Sequence, residues 1–413
     1  MPGDALVIGG GLIGASCAVN LQQHGIRTTL LDPAPAWQRA SYGNAGHIAT
    51  EQVEPLASGK TLRSVPRRLF WRGGALSLPL HDFPAWLPFA LRFMRSSSPA
   101  QFASGTRALR SLLGGALPAW RRLAAIARAG QLLAEDGHFV VWETPAGAAS
   151  GRESWLRTDT GTATIRDATD EEVAMLSARM SSRVAGAIRF SGTGQIVDLG
   201  ELAQRLGESL IHAGGSRRTA RVRNLVVDGS TAAAVLDSGE TLHAEVVVVA
   251  AGVASAALLE PLGYSVPIIA ERGYHIQCAN TDWPVGLPPV VFEERSMIVT
   301  RFRSGLRAAS FVEFARDRSP ADPRKWARLR QHVAELGLPF REPSSEWFGA
   351  RPTLPDYLPA LGRSRRAANL LYAFGHQHLG LTLAAISGEL IAALARREPA
   401  AVDVMPFDLE RFH

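Results

Sequence analysis

The chain has 413 residues, 46% of them hydrophobic, and a mean hydropathy of +0.02, enough apolar material for a large core and about two domains. The net charge is +6, yet lysine occurs only at Lys60 and Lys325 and the arginines are scattered among acids; without a basic tail or a recognisable motif, nucleic-acid binding is set aside. Cys17 and Cys278 are too few for a disulfide framework, which suits a reducing compartment. With a core strand starting near residue 5, no leader before it and no apolar run of roughly 18 residues, the expectation is a cytoplasmic chain without a membrane span.

In chain order, Asp4 to Ile8 reads as a strand running into Gly9, Gly11 and Gly14 at the GxGxxG spacing. A helix follows, and then a second strand from Thr28 to Asp32. Gly9 permits the tight turn, Gly11 lets backbone approach a pyrophosphate, and Gly14 lets helix pack on strand. The helix N-terminus offers free N–H groups and its positive dipole end to that pyrophosphate. Asp32 ends the second strand where it can accept from a ribose 2′-OH, which argues for NAD or FAD over NADP.

Residues 105–130 carry Leu109, Leu112, Leu113, Leu117, Trp120, Leu123 and Ile126 at helical spacing and predict one long amphipathic helix. His138 to Trp142 reads as a strand, and 199–213 as a helix capped by Asp198. Hairpins are expected over 220–236 and over 296–314 around Ser304-Gly305. Between them, Val246 to Val249 ends in Ala250-Ala251-Gly252, a strand buried on both faces that runs into a tight turn. A last strand, Leu370 to Ala373, meets a glycine turn and a helix starting near Leu381. Distant strand–turn–helix pieces imply one parallel sheet, and the hairpins a second, antiparallel one, with ligands beyond the carboxyl ends of the parallel strands. The expected fold is therefore α/β, a Rossmann-like domain interleaved with an antiparallel-sheet substrate domain. The segments 1–52, 190–270 and 345–413 are assigned to the first, and 53–189 and 271–344 to the second.

Five ordered motifs make the chain resemble the FAD-dependent amine oxidoreductases that include D-amino-acid dehydrogenases, glycine oxidase and sarcosine oxidase. They are the glycine turn, Ser41-Tyr-Gly-Asn44-Ala45-Gly46-His47, Ala250-Ala251-Gly252, Arg351-Pro-Thr-Leu-Pro-Asp356 with Gly362-Arg363, and Gly375-His-Gln-His-Leu-Gly-Leu-Thr382. Alanine at 251 departs from the family's threonine there. The resemblance implies non-covalent FAD and no metal. It assigns cofactor contacts to Gly9, Gly11, Leu12, Ile13, Gly14, Asp32, Pro33, Ala40, Ser41, Asn44, Ala45, Gly46, His47, Val222, Ala251 and Gly252. The closing turn adds Gly375, His376, Gln377, Leu379, Gly380, Leu381 and Thr382. No cysteine lies beyond Cys278 to form a cysteinyl flavin link, and a link through His47 or His376 is not expected.

For the chemistry, the resemblance puts Arg351 on the substrate carboxylate, where a guanidinium acts as a bidentate fork. His378 falls where glycine oxidase has a second arginine, and Tyr274 and His275 open the substrate-side sheet, with Tyr274 a candidate catalytic group. A neutral amine would pass its Cα hydride to the flavin, so the protein's part is orientation. The substrate expected is a D-amino or cyclic imino acid, cis-4-hydroxy-D-proline above all, with Gln377 and His378 meeting a ring hydroxyl. The alternatives are a broad D-amino-acid dehydrogenase and a sarcosine- or glycine-type oxidase, and the electron acceptor is a quinone or O2. From the first motif alone an NAD-dependent dehydrogenase is also open, but it leaves 345–385 without a purpose.

The insertion 53–104 interleaves Arg67, Arg68, Arg72, Arg92 and Arg95 with Phe70, Trp71, Trp86, Phe89 and Phe93. It reads either as a lid over the substrate or, through 62–95, as a contact with an anionic membrane surface near a quinone.

Overall fold

The computed structural model of the chain describes residues 3–34, 37, 40–181 and 184–413. Its first sheet has six strands in the spatial order 216–219, 27–32, 4–8, 246–249, 370–374, 360–363. All neighbours are parallel except the last pair. The central strands Asp4–Ile8 and Val246–Val249 are almost wholly buried, as an uninterrupted β-branched run covered on both faces requires.

The helix Leu12–Gln23 packs beside Gly380–Ala395 on one face of this sheet. Gly388 is the contact point, since a Cβ there would lie 2.6 Å from the Ser16 carbonyl oxygen. The continuous helical stretch Gln377–Ala395 is long and apolar enough to cross a membrane, with mean hydropathy 1.6. This corrects the expectation that no such run exists. Its apolar surface is mostly buried between Leu12–Gln23 and Ala116–Ile126, so it is a core helix.

A second, nine-stranded and mostly antiparallel sheet runs through 344–353, 269–278, 305–315, 297–302, 290–292, 138–142, 186–191 and 164–167, with 76–77 paired to 305–315. Ser344–Thr353 belongs to this sheet, so the chain returns to the parallel sheet only after Thr353, later than the boundary at 345. Both hairpins form, Val222–Asp228 with Thr231–Leu236 and Met297–Phe302 with Gly305–Ala315. Asp198 caps Leu199–His212 by accepting from the Glu201 N–H.

The long helix expected over 105–130 is two helices, Pro99–Gly114 and Ala116–Ile126. The break falls at Gly115, where a Cβ would sit 2.5 Å from Cδ1 of Ile386. That contact explains the glycine; the break itself is local, since the Gly114-Gly115 pair disfavours helix and Pro118 has no N–H for the Gly114 carbonyl, and the apolar periodicity does not register it.

Candidate active site

The carboxyl ends of the parallel strands and one face of the second sheet enclose a cavity of about 1610 Å³. At its cofactor end Gly9 has φ +109°, and a Cβ there would lie 2.4 Å from the Ala250 carbonyl oxygen. A Cβ on Gly14 would lie 1.7 Å from the Gly9 carbonyl oxygen. Only glycine permits strand, turn and helix to close on one another here. Asp32 accepts from the N–H groups of Gly10 at 2.6 Å and Ala34 at 2.7 Å. The Ser41 hydroxyl accepts from Leu12 N–H at 2.9 Å, which ties the Ser41–Gly46 loop to the helix N-terminus.

Most of the assigned cofactor residues line this cavity: Gly9, Gly11, Leu12, Ile13, Asp32, Pro33, Ala40, Ser41, Asn44, Ala45, His47, Val222, Ala251, Gly252, His376, Gln377, Gly380 and Leu381. Gly14, Gly46, Gly375, Leu379 and Thr382 stand behind the wall instead. Leu379 is core, and Thr382 Oγ1 accepts from the Ala49 N–H. His376 lines the wall with its ring turned to Ser387 Oγ at 2.9 Å, and burial pulls its pKa down to about 3.

The buried Arg307 guanidinium holds the Ser41–Gly46 loop from the other sheet. It donates to the carbonyls of Tyr42 and Asn44 and to Gln277 Oε1, and stacks on Phe302 at 4.6 Å. Desolvation lowers its pKa to about 10. Sequence reasoning missed it because it acts through backbone carbonyls some 260 residues away.

At the other end, Arg351 lies opposite Glu271 on paired strands. Its Nη1 donates to Glu271 Oε1 at 3.2 Å and to the Phe311 carbonyl at 3.1 Å. Glu271 is almost fully buried, and its Oε2 accepts from Thr353 Oγ1 and Tyr357 Oη. The guanidinium passes over Gly273, where a Cβ would lie 2.3 Å from Nη2. Anchored through Nη1, Arg351 is only partly exposed and faces the cavity.

Phe311, Tyr357 and Gln377 all have positive φ (71°, 58° and 43°), so backbone strain gathers around this arginine. His378 Nε2 bonds Gln52 Oε1, and burial lowers its pKa to about 4. With its pKa lowered this far, the ring is neutral at ordinary pH. Gln52, Glu271 and Tyr357 were not singled out in the sequence, because each acquires its role from a partner far along the chain.

Two expected site residues are engaged by the protein itself. Tyr274 Oη donates to Glu313 Oε1 at 2.8 Å and accepts from the Asp322 N–H at 3.2 Å. It lines the cavity but is 1% exposed, and its hydroxyl is held in a buried cluster in which Arg272 and Lys325 also pair with Glu313. Gln377 lines the cavity and commits one amide N–H to the Tyr357 carbonyl and one oxygen lone pair to the His378 N–H, leaving one donor and one acceptor site. His275, expected beside Tyr274, stacks on Trp347 and contacts the Gly43 carbonyl.

A dinucleotide turn at one end and an anchored guanidinium at the other make this the cavity of a redox enzyme. The chain belongs to the FAD dependent oxidoreductase (DAO) family, whose model matches residues 4–394. It is 30% identical to a D-amino-acid oxidase of Bradyrhizobium diazoefficiens over 98% of both chains. It is also 30% identical to D-amino acid dehydrogenase 2 of Ralstonia nicotianae, over 98% of this chain and 99% of that one. The fold matches glycine oxidase from Geobacillus kaustophilus with TM-score 0.71 at 22% identity, covering 99% and 98% of the two chains. FAD is the cofactor, and the glycine turn, Asp32 and the helix N-terminus at Leu12 fit its pyrophosphate and ribose.

Proposed function

We propose that this protein oxidises D-amino acids at Cα. The observation that carries the reading is Arg351, fixed through Nη1 by Glu271 and the Phe311 carbonyl while its fork faces the cavity that holds the cofactor turn. The relatives named D-amino-acid oxidase and dehydrogenase support it.

Bound FAD supplies the acceptor for the hydride. The chain's own residues do the positioning. Arg351 clamps the α-carboxylate. His378 lines the cavity as a neutral ring, so it does not repel the amino group. Phe89 and Phe93 of the insertion pack on Phe314 and Tyr357, which ties the insertion to the second sheet and to the segment after Thr353.

Anaerobic bleaching of the flavin's visible band by D- but not L-amino acids tests the reading, and no bleaching by any amino acid overturns it. The panel includes sarcosine and cis-4-hydroxy-D-proline, whose ring hydroxyl Gln377 and His378 would meet. Reoxidation by air or by a soluble quinone analogue then identifies the acceptor.

A cytoplasmic enzyme resting on the inner membrane is part of the same proposal. On the insertion, Trp71, Leu80, Phe83, Leu91 and Met94 are exposed beside Arg67, Arg72, Arg92 and Arg95. Co-sedimentation with anionic but not neutral vesicles is expected, and no binding to either removes this part.

A further inference from the structure

We infer that Arg68 is a second anion-binding residue of the cavity, and that the amino acid it serves carries a carboxylate on its side chain. The inference rests on the function proposed above and deepens it.

Lys60, Thr61, Ser64 and Arg68 of the helix Gly59–Arg68 line the cavity, while Arg63 and Arg67 are exposed. The spacing of 60, 64 and 68 puts these side chains on one helical face. These residues give this part of the cavity wall hydroxyls and cations, with Lys60 itself exposed, while Leu56, Ala75, Ile298 and Phe311 supply apolar wall. The end of this helix is held close to Arg351. Leu69 bridges Leu76, Leu76 pairs with Val312, and the neighbouring Phe311 carbonyl accepts from Arg351.

The charges near Arg351 leave Arg68 without a partner. Glu271 spends Oε1 on Arg351 and Oε2 on Thr353 and Tyr357. Lys60 donates to Ser154 Oγ, Glu51 is paired with His47, and Glu293 accepts from Trp155. Among the described residues Arg68 has no hydrogen-bond or ion-pair partner, although it is only partly exposed. Arg68 and Arg351 line the same cavity.

A half-buried guanidinium without a counter-charge is unfavourable until a ligand supplies one. A substrate with its α-carboxylate on Arg351 and a second carboxylate on Arg68 satisfies both forks. An amino dicarboxylate such as D-glutamate or D-aspartate has this chemistry.

The test compares kcat/KM for D-glutamate against D-glutamine and for D-aspartate against D-asparagine, pairs that differ in charge at nearly constant shape. The holoenzyme is expected to favour the acid about ten- to a hundredfold, the range of a charge-assisted hydrogen bond. Arg68→Met should collapse that ratio towards one, and Arg68→Lys should restore part of it. A readout without turnover is perturbation of the bound flavin's spectrum by glutarate against its monoamide; tighter binding of glutarate is expected.

A wild-type ratio near one overturns the inference, as does an Arg68→Met variant that weakens both members of each pair equally. Equal binding of glutarate and its monoamide also overturns it. In each of these cases turnover of neutral D-amino acids leaves the proposed function standing. Absence of turnover with every amino acid overturns both.

Discussion

Arg351 and Glu271 face each other across two paired strands, with Nη1 3.2 Å from Oε1. The carboxylate is buried and the guanidinium half-buried, so one end of the arginine is structural while the other stays available. Neither an isolated ion pair nor a free arginine would aim a fork in this way.

Substituting Arg351→Ala should leave flavin content unchanged and lower kcat/KM for every amino acid by about a hundredfold or more. Glu271→Gln keeps the shape and removes the charge that orients the fork, so a smaller loss, mainly in KM, is expected. Steady-state kinetics beside the ratio of flavin to protein absorbance reads both. Near-normal activity of Arg351→Ala would remove the clamp from the mechanism.

Gly273→Ala should act on substrate binding through the same arginine. Its Cβ would come within 2.3 Å of Nη2 and 2.6 Å of Cζ. The side chain can give way, so the fold should survive while KM rises about tenfold or more. Thermal melting and kinetics on one preparation separate the two effects. An unchanged KM would mean that the guanidinium can shift without leaving the carboxylate.

Tyr274→Phe should cost stability and spare turnover. The hydroxyl it removes holds Glu313 inside a buried cluster with Arg272 and Lys325. A loss of about 1–3 kcal/mol in denaturant unfolding is expected, with kcat changed no more than a few-fold. A collapse of kcat in a stable variant would return Tyr274 to the catalytic group.

Acid should destabilise the fold earlier than its carboxylates alone would. Burial lowers His138 and His376 to about 3 and His332 and His378 to about 4, from an ordinary value of 6.5. Between those values the unfolded chain binds protons that the folded protein does not, so stability falls as pH is lowered through that window. Burial pushes Glu51 up, but the charges of His47 and His138 outweigh it and hold it at about 2, so its contribution is lost only below its ordinary 4.5. Unfolding midpoints should drop between pH 6.5 and 4.5 and be flat just above it. A level profile through the window would show that these rings protonate in place.

The local motifs were legible because their physics is local. A GxGxxG turn needs glycine where backbone meets backbone, at Gly9 against Ala250 and at Gly14 against Gly9. The alternation of the hairpins and the uniform burial of Val246–Val249 follow from residues adjacent in the chain. Periodicity missed the break at Gly115 because the apolar repeat runs on across the Gly114-Gly115 pair and Pro118.

By itself the sequence determined a dinucleotide turn, two kinds of sheet and an arginine in the right motif. Only the tertiary structure decided what that arginine, Tyr274 and Arg68 stand against. Glu271 becomes the anchor of Arg351 through cross-strand register, and the Tyr274 hydroxyl is taken by Glu313 and Asp322. Arg68 lines the cavity from the end of a helix whose next residue, Leu69, bridges Leu76 beside the second sheet. A side chain's chemistry depends on its partners, and long-range partners are set by how sheets and helices pack.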